Sequence, residues 1–354
     1  MLISNHKMNI LSKNFIMGFL LFGFFFFKSN AQEKTNKYSN IIPFIQIEHT
    51  TSPLYRDPVY DGAADPSLIW DSTKNQWYMF YTQRRANMTK LKSVEYCYGT
   101  AIGIATSKNN GVTWKYSGVL SLPQPDDGLN TFWAPQVVYE ASSKKYHMFV
   151  TYIKGVYVDW GGEPDIFHYE SYNMEDWTFI NKIGTQGCID AYVFQLDNGQ
   201  WKMWYKDQKR GSLTYTATSD DMLNWTHSNK NEGGNNPHEG PIIFKWKKKF
   251  WMITDMWEGL DVYSSKDTKN WEYNNTILNE PGARPDDNIN GRHADIVISN
   301  DNAYIVYFTH PGRVYFQNKE VYEESYRYRR SSIQIAELEL VNDKMVCDRN
   351  KYYP

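Results

Sequence analysis

The sequence predicts an all-β chain folded as a five-bladed β-propeller of four-stranded antiparallel blades, and three observations predict it. Long helical periodicity is absent, whereas runs of Val, Ile, Tyr, Phe and Trp bounded by Asn, Asp and Gly recur throughout. Five times, about every 45 to 70 residues, a turn containing Ala, Glu or Asp leads into an apolar strand and then, after a short gap, an aromatic-rich one. Four times a Ser closing one strand is followed by a polar turn and a Trp opening the next. Such a unit cannot bury both faces of its sheet alone, so the copies must pack on one another. A β-sandwich would instead space its strands by about 8 to 12 residues without the longer period.

In chain order, residues 1–31 read as a signal peptide. Lys7 and Lys13 precede an apolar run from Phe15 to Phe27, and Ser29-Asn30-Ala31 offers small residues for cleavage before Gln32. The run is about 13 residues, short of the roughly 20 a spanning helix needs. Residues 32–50 form a polar leader that turns into a strand over Ile41–Ile47 and starts the ring closure. The propeller then occupies residues 51–354. Its five inner hairpins are Ala64–Ile69 with Trp77–Tyr81, Ala134–Tyr139 with Tyr146–Val150, Asp190–Phe194 with Trp201–Tyr205, Glu239–Phe244 with Phe250–Ile253, and Ala294–Ile298 with Tyr304–Phe308. The outer hairpins run from Thr106-Ser107 to Trp114, Ser171 to Trp177, Thr218-Ser219 to Trp225 and Ser264-Ser265 to Trp271. The fifth unit ends differently: Arg330–Leu340 is strand-like but no Trp follows, as expected of a terminal repeat that closes the ring.

The 354 residues are 41% hydrophobic and 16% aromatic, enough for one large packed body, and the net charge is -2. No long basic run is present, so nucleic acid and membranes are not expected as partners. Cys97, Cys188 and Cys347 have no metal-type spacing and form no disulfide framework, although one pair is open to oxidation. Zinc-protease, nucleophile-elbow and phosphate-cradling motifs are absent.

Three of the repeated turns carry an acid where the strand begins: Asp65, Asp190 and Glu239. Radial packing brings the same end of each first strand to one axis, so these acids converge. Viewed alone, Asp65 reads as a turn residue, Asp190 is open between structure and function, and Glu239 ahead of Gly240-Pro241 is hard to explain as a cap and favours catalysis; their shared register argues for a site. Two carboxyls across a cavity, one donating a proton and one activating water, are what inverting hydrolysis of a glycosidic bond requires, at about 6.5 to 9.5 Å apart.

The ordered set Asp65-Pro66, Trp133-Ala134-Pro135, Ile189-Asp190-Ala191, Glu239-Gly240-Pro241 and Gly291-Arg292-His293 resembles glycoside hydrolase family 43 and its five-bladed relatives over about residues 50 to 340. The resemblance implies Asp65 as general base, Asp190 as the residue that positions the acid and tunes its pKa, and Glu239 as general acid. It implies an oligosaccharide or polysaccharide substrate, with release of arabinose or xylose as the default, and no required cofactor. It places His293 near a water-filled axis, where some relatives hold a structural calcium ion; neutral imidazole is a poor ligand for calcium, which favours a water-mediated contact. Trp133 is the stacking candidate for a sugar face, and His238 and Arg292 are polar candidates. Their structural alternatives are blade packing for Trp133, a turn cap for His238, and pairing of Arg292 with Asp286 or Asp287.

Two irregular stretches, Gln83–Lys92 and Val156–Glu163, are expected to shape specificity. Arg84-Arg85 reads as part of a solvated loop, with an acidic or sulfated sugar as the alternative. Asp286-Asp287-Asn288 reads as an exposed turn. The functional expectation is an exported glycosidase, periplasmic or extracellular, monomeric or weakly self-associating. The alternatives are a related propeller glycosidase acting on algal galactans, a phosphorylase and a non-catalytic carbohydrate-binding propeller.

Overall fold

The computed structural model describes residues 42–43, 45–316 and 319–353. The expected signal segment and most of the polar leader lie outside the described residues. Blade 1 comprises β1 (Ala63–Asp71), β2 (Gln76–Gln83), β3 (Ala101–Ser107) and β4 (Lys115–Val119). Blade 2 comprises β5 (Thr131–Glu140), β6 (Lys145–Ile153), β7 (Asp165–Ser171) and β8 (Thr178–Lys182). Blade 3 holds β9 (Cys188–Gln195), β10 (Trp201–Asp207), β11 (Leu213–Ser219) and β12 (Thr226–His227), and blade 4 holds β13 (Glu239–Trp246), β14 (Lys249–Asp255), β15 (Leu260–Ser265) and β16 (Glu272–Ile277). Blade 5 begins with β17 (Arg292–Ser299) and β18 (Asn302–Thr309). A small hairpin, β19 (Val314–Phe316) and β20 (Lys319–Val321), intervenes before β21 (Ser332–Val341) and β22 (Lys344–Val346) complete the sheet. Each blade is a four-stranded antiparallel meander, and each first strand lies against the first strands of both neighbours, from β1 through β17 and back to β1.

The near-continuous apolar strands follow from burial of both sheet faces. Along β2, Trp77, Met79 and Tyr81 pack toward blade 5, whereas Tyr78 and Phe80 pack toward blade 2, as a side-chain period of two requires. The remaining seams repeat the pattern: Phe149 with Met203 between blades 2 and 3, Trp204 with Ile243 between 3 and 4, Trp251 with Ile305 between 4 and 5. The Ser-to-Trp signature marks the outer hairpins as expected, and its chemistry is local. Asp221 accepts the backbone N–H groups of Leu223 and Asn224, and Asp267 those of Lys269 and Asn270.

Two expectations are corrected. No strand forms over the described part of Ile41–Ile47; Ile47–His49 is a single 3-10 turn. The two ends of the ring meet instead through isolated bridges, Tyr55 with Ile333 and Gly62 with Ser331, because β22 already supplies the outer strand of blade 5. Asp287 is not in an exposed turn. It is fully buried, 2.8 Å from Arg284 and 3.0 Å from Arg349, and accepts a hydrogen bond from Tyr307. The three cysteines are free thiols. Among the described residues no helix is long and apolar enough to cross a membrane.

Candidate active site

Every inner strand bulges at the same place. Asp65-Pro66, Ala134-Pro135, Asp190-Ala191 and Gly240-Pro241 each set two residues against one on the second strand, and His293 is the single extra residue of β17. The first bulged residue is left-handed in four blades, with φ of 50° at Asp65, 45° at Ala134, 57° at Asp190 and 55° at Gly240. Asp tolerates that region better than most residues and glycine adopts it freely. Asp65, Asp190 and His293 are therefore equivalent ring positions. Glu239 is one residue earlier, equivalent to Trp133 and Arg292, so the three acids are not in one register. All of these side chains nevertheless line one cavity of about 610 Å³.

On the second strand, the residue opposite the pre-bulge position is Thr82, Thr151, Lys206 and Asp255 in blades 1 to 4, and the apolar Phe308 in blade 5. In three blades it accepts the bulge amide of the next blade, from Ala134 to Thr82 (2.8 Å), from Asp190 to Thr151 (3.1 Å) and from His293 to Asp255 (2.8 Å). Lys206 has no acceptor to offer. The Gly240 amide instead donates to Asp190 Oδ2 (3.1 Å), and Lys206 Nζ reaches Glu239 Oε2 at 2.9 Å. Gly240 is required here for a second reason, since a Cβ would meet the His293 ring at 2.8 Å.

These contacts separate the acids electrostatically. Burial, opposed by His293 and reinforced by the Glu239 charge, pushes Asp190 up to about 7. Burial also acts to raise Glu239, but Lys206, joined by Trp257 and His293, outweighs it and holds that carboxyl below its ordinary value. Asp255 is pushed up to about 6 by burial, with Arg292 opposing and Glu239 reinforcing. His293 is held above its ordinary value because Asp190, Asp65, Glu239 and Asp255 together outweigh its burial. Asp65 lies 3.2 Å from Arg84 Nη2 through both oxygens and 3.7 Å from His293 Nδ1. Arg84 Nη1 in turn faces His310 Nε2 at 3.3 Å, while His310 Nδ1 is bonded to the Arg330 carbonyl, so His310 accepts from Arg84 as a neutral ring.

Asp65, Asp190, Glu239, Trp133, Arg292 and His293 thus meet in the cavity. His238 does not: it is fully buried, with Nδ1 bound to the Asn236 carbonyl and Nε2 to Thr214 Oγ1. Trp133 faces the cavity while its indole N–H donates to the Cys97 carbonyl, and its ring packs edge-on against Tyr98. Arg292 pairs neither with Asp286 nor with Asp287; its Nη2 donates to Tyr315 and lies 3.5 Å from Glu320. Arg84 and Arg85 are not solvated either, since Arg84 holds Asp65 and Arg85 donates to the Tyr98 and Glu95 carbonyls. Sequence reasoning missed Lys206, Asp255, Trp257 and His310. A signal for the first two was present, because aligning Met79, Met148, Met203 and Met252 puts Thr82, Thr151, Lys206 and Asp255 each three residues on, with Lys206 the odd member.

A calcium ion beside His293 does not fit these residues. Asp65 is held by Arg84, Glu239 by Lys206, Asp190 by the Gly240 amide, and Asp255 by the His293 and Trp257 amides. The raised pKa of His293 favours a proton on the ring where an ion would need a lone pair.

No protein-family profile matches the chain, and no curated protein matches it in sequence. Among solved structures, the fold matches a thermostable family-43 glycoside hydrolase, with TM-score 0.57, 15% identity and coverage of 83% of this chain and 96% of that one. It matches a family-43 β-xylosidase/α-arabinofuranosidase from a compost microbial metagenome, solved with xylotriose, at TM-score 0.60 and 14% identity, covering 84% of this chain and 96% of that one. It also matches a family-43 β-1,3-galactosidase at TM-score 0.59 and 15% identity, covering 84% of this chain and 98% of that one. The chain therefore shares the five-bladed propeller of family-43 glycoside hydrolases.

Proposed function

We propose that the chain is a glycoside hydrolase that removes a terminal or side-chain sugar from a plant or algal oligosaccharide or polysaccharide, with inversion at the anomeric carbon. The observation that carries this reading is one axial cavity where acids from three blades meet with opposed preferences for a proton. Cleavage needs one carboxyl protonated and one ionised, and environments that push neighbouring acids apart supply those states. Asp65, paired with Arg84, is the base that activates water. Asp190 and Glu239 share the donor proton, which rests on Asp190 while Lys206 keeps Glu239 charged. Glu239 is the more open of the two and delivers the proton to the leaving oxygen. Trp257, whose ring lies 5.0 Å from Lys206 Nζ, offers a face for the sugar beside Glu239.

A cavity on the axis suits a chain end or branch more than the middle of a polymer. Arabinose or xylose release is the first substrate class to test, because the fold is shared with a β-xylosidase/α-arabinofuranosidase; a β-1,3-linked galactan is the second, because it is shared with a β-1,3-galactosidase. We assign the working enzyme to the periplasm or the cell exterior, after removal of residues 1–31. The test is incubation of the purified protein with plant and algal oligosaccharides, following released sugar and its first anomer by proton NMR. Release with the opposite anomer is expected. Release with the same anomer would overturn inversion, and binding without release would make the protein a carbohydrate-binding propeller.

A further inference from the structure

Blade 2 carries a second cluster of chemically capable side chains, and none of them lines the axial cavity. His147 lies on β6, and His168 and Glu170 lie on β7. The register sets His147 opposite Glu170 and Phe149 opposite His168, so the three side chains share one face of the sheet. His147 is 2% exposed and His168 0%. His147 Nδ1 is 2.9 Å from His168 Nε2 and 3.8 Å from Glu170 Oε1, and one donor atom of each residue lies within 4.8 Å of the other two.

The tautomers expose a conflict. Both rings are buried, and a neutral imidazole carries one N–H. The outer nitrogens face oxygen acceptors: His147 Nε2 is 3.4 Å from Glu140 Oε2, and His168 Nδ1 faces Asn181, whose amide nitrogen is already committed to the Leu223 carbonyl. Neither outer nitrogen makes a well-formed hydrogen bond. If both donate outward, two lone pairs face each other across 2.9 Å; if a proton fills that gap, one outer nitrogen turns its lone pair to an oxygen. Two protons cannot serve all three places.

We propose that His147, His168 and Glu170 form a binding site for a divalent transition metal, zinc in the first instance, joining the second and third strands of blade 2. A cation between the inner nitrogens lets both outer nitrogens keep their protons. Glu170 turns Oε1 toward the gap while Lys145 holds Oε2 at 2.6 Å. Glu140 and Asn181 then act as the oxygen partners that orient metal-bound imidazoles. Two imidazoles and one carboxylate suit zinc better than calcium or magnesium. Bonds of about 2.0 Å in tetrahedral array place the two nitrogens about 3.3 Å apart, so the pair opens by about 0.4 Å on binding.

The test uses the whole protein, stripped with chelator and desalted, then titrated with zinc chloride by calorimetry and with cobalt chloride by visible absorption. One equivalent of metal, cobalt bands without thiolate charge transfer, and a melting temperature raised by zinc are expected. Glu170→Gln weakens binding by about tenfold or more, and His147→Leu abolishes it. The proposal is overturned if the wild type shows no saturable binding, or if Glu170→Gln binds as tightly as wild type. Should His147→Leu fail to fold, Glu170→Gln, at a half-buried position, carries the comparison. No sugar enters these measurements, so their outcome is separate from the glycosidase reading.

Discussion

Lys206 breaks the chemistry of its ring position, where Thr82, Thr151 and Asp255 accept an amide from the next blade. Its consequence is proton placement. A cation 2.9 Å from Glu239 favours the charged carboxylate, so removing it raises the Glu239 pKa. An acid that works while protonated is lost as pH climbs through its pKa; raising that pKa extends activity toward alkaline pH. Lys206→Met is therefore expected to move the alkaline limb of kcat/KM upward by about one to three pH units, whereas Lys206→Arg leaves it near its original place. An unshifted limb with a uniform loss of rate would show Lys206 to be structural. At this scale the acids were legible because charges at the heads of apolar strands are costly without a purpose. Lys206 was not, because its meaning lies in contrast with residues of other blades, and His238, beside Glu239, faces Thr214 rather than the cavity.

The recurring bulge is the element that turns five similar strands into one site. It aims alternate side chains at the axis and requires left-handed backbone where Asp65, Asp190 and Gly240 stand. Gly240→Ala is expected to cost about 1–2 kcal/mol for the left-handed residue alone, with a further cost from displacing His293. Chemical denaturation checks the first, and a fall in kcat larger than the loss of folded protein checks the second. The hairpins themselves were readable from strand period and turn residues. The bulge was not: a proline two residues into a strand is seen in the sequence, but which residues it leaves unpaired depends on the partner strand.

At the scale of the whole molecule, charge pairs tie both ends of the described chain to the loop between β16 and β17. Asp287 joins Arg284 to Arg349 near the chain end, and Asp286 joins Arg330 to Arg56 near its start. Asp287→Ala leaves two buried guanidinium groups without their carboxylate and is expected to cost about 3–5 kcal/mol in urea unfolding. Arg56→Ala, at a half-exposed pair, is expected to cost under about 1 kcal/mol. Five repeats, their order and the acids that open three of them follow from the amino-acid sequence, because strand period, turn chemistry and apolar runs are local properties. The tertiary structure alone decided which residues meet: Lys206 beside Glu239, Asp190 beneath the Gly240 amide, His147 against His168, and Asp287 between two arginines. Those neighbours are set by register and by packing of one blade on the next, and local patterning of the chain carries no record of either.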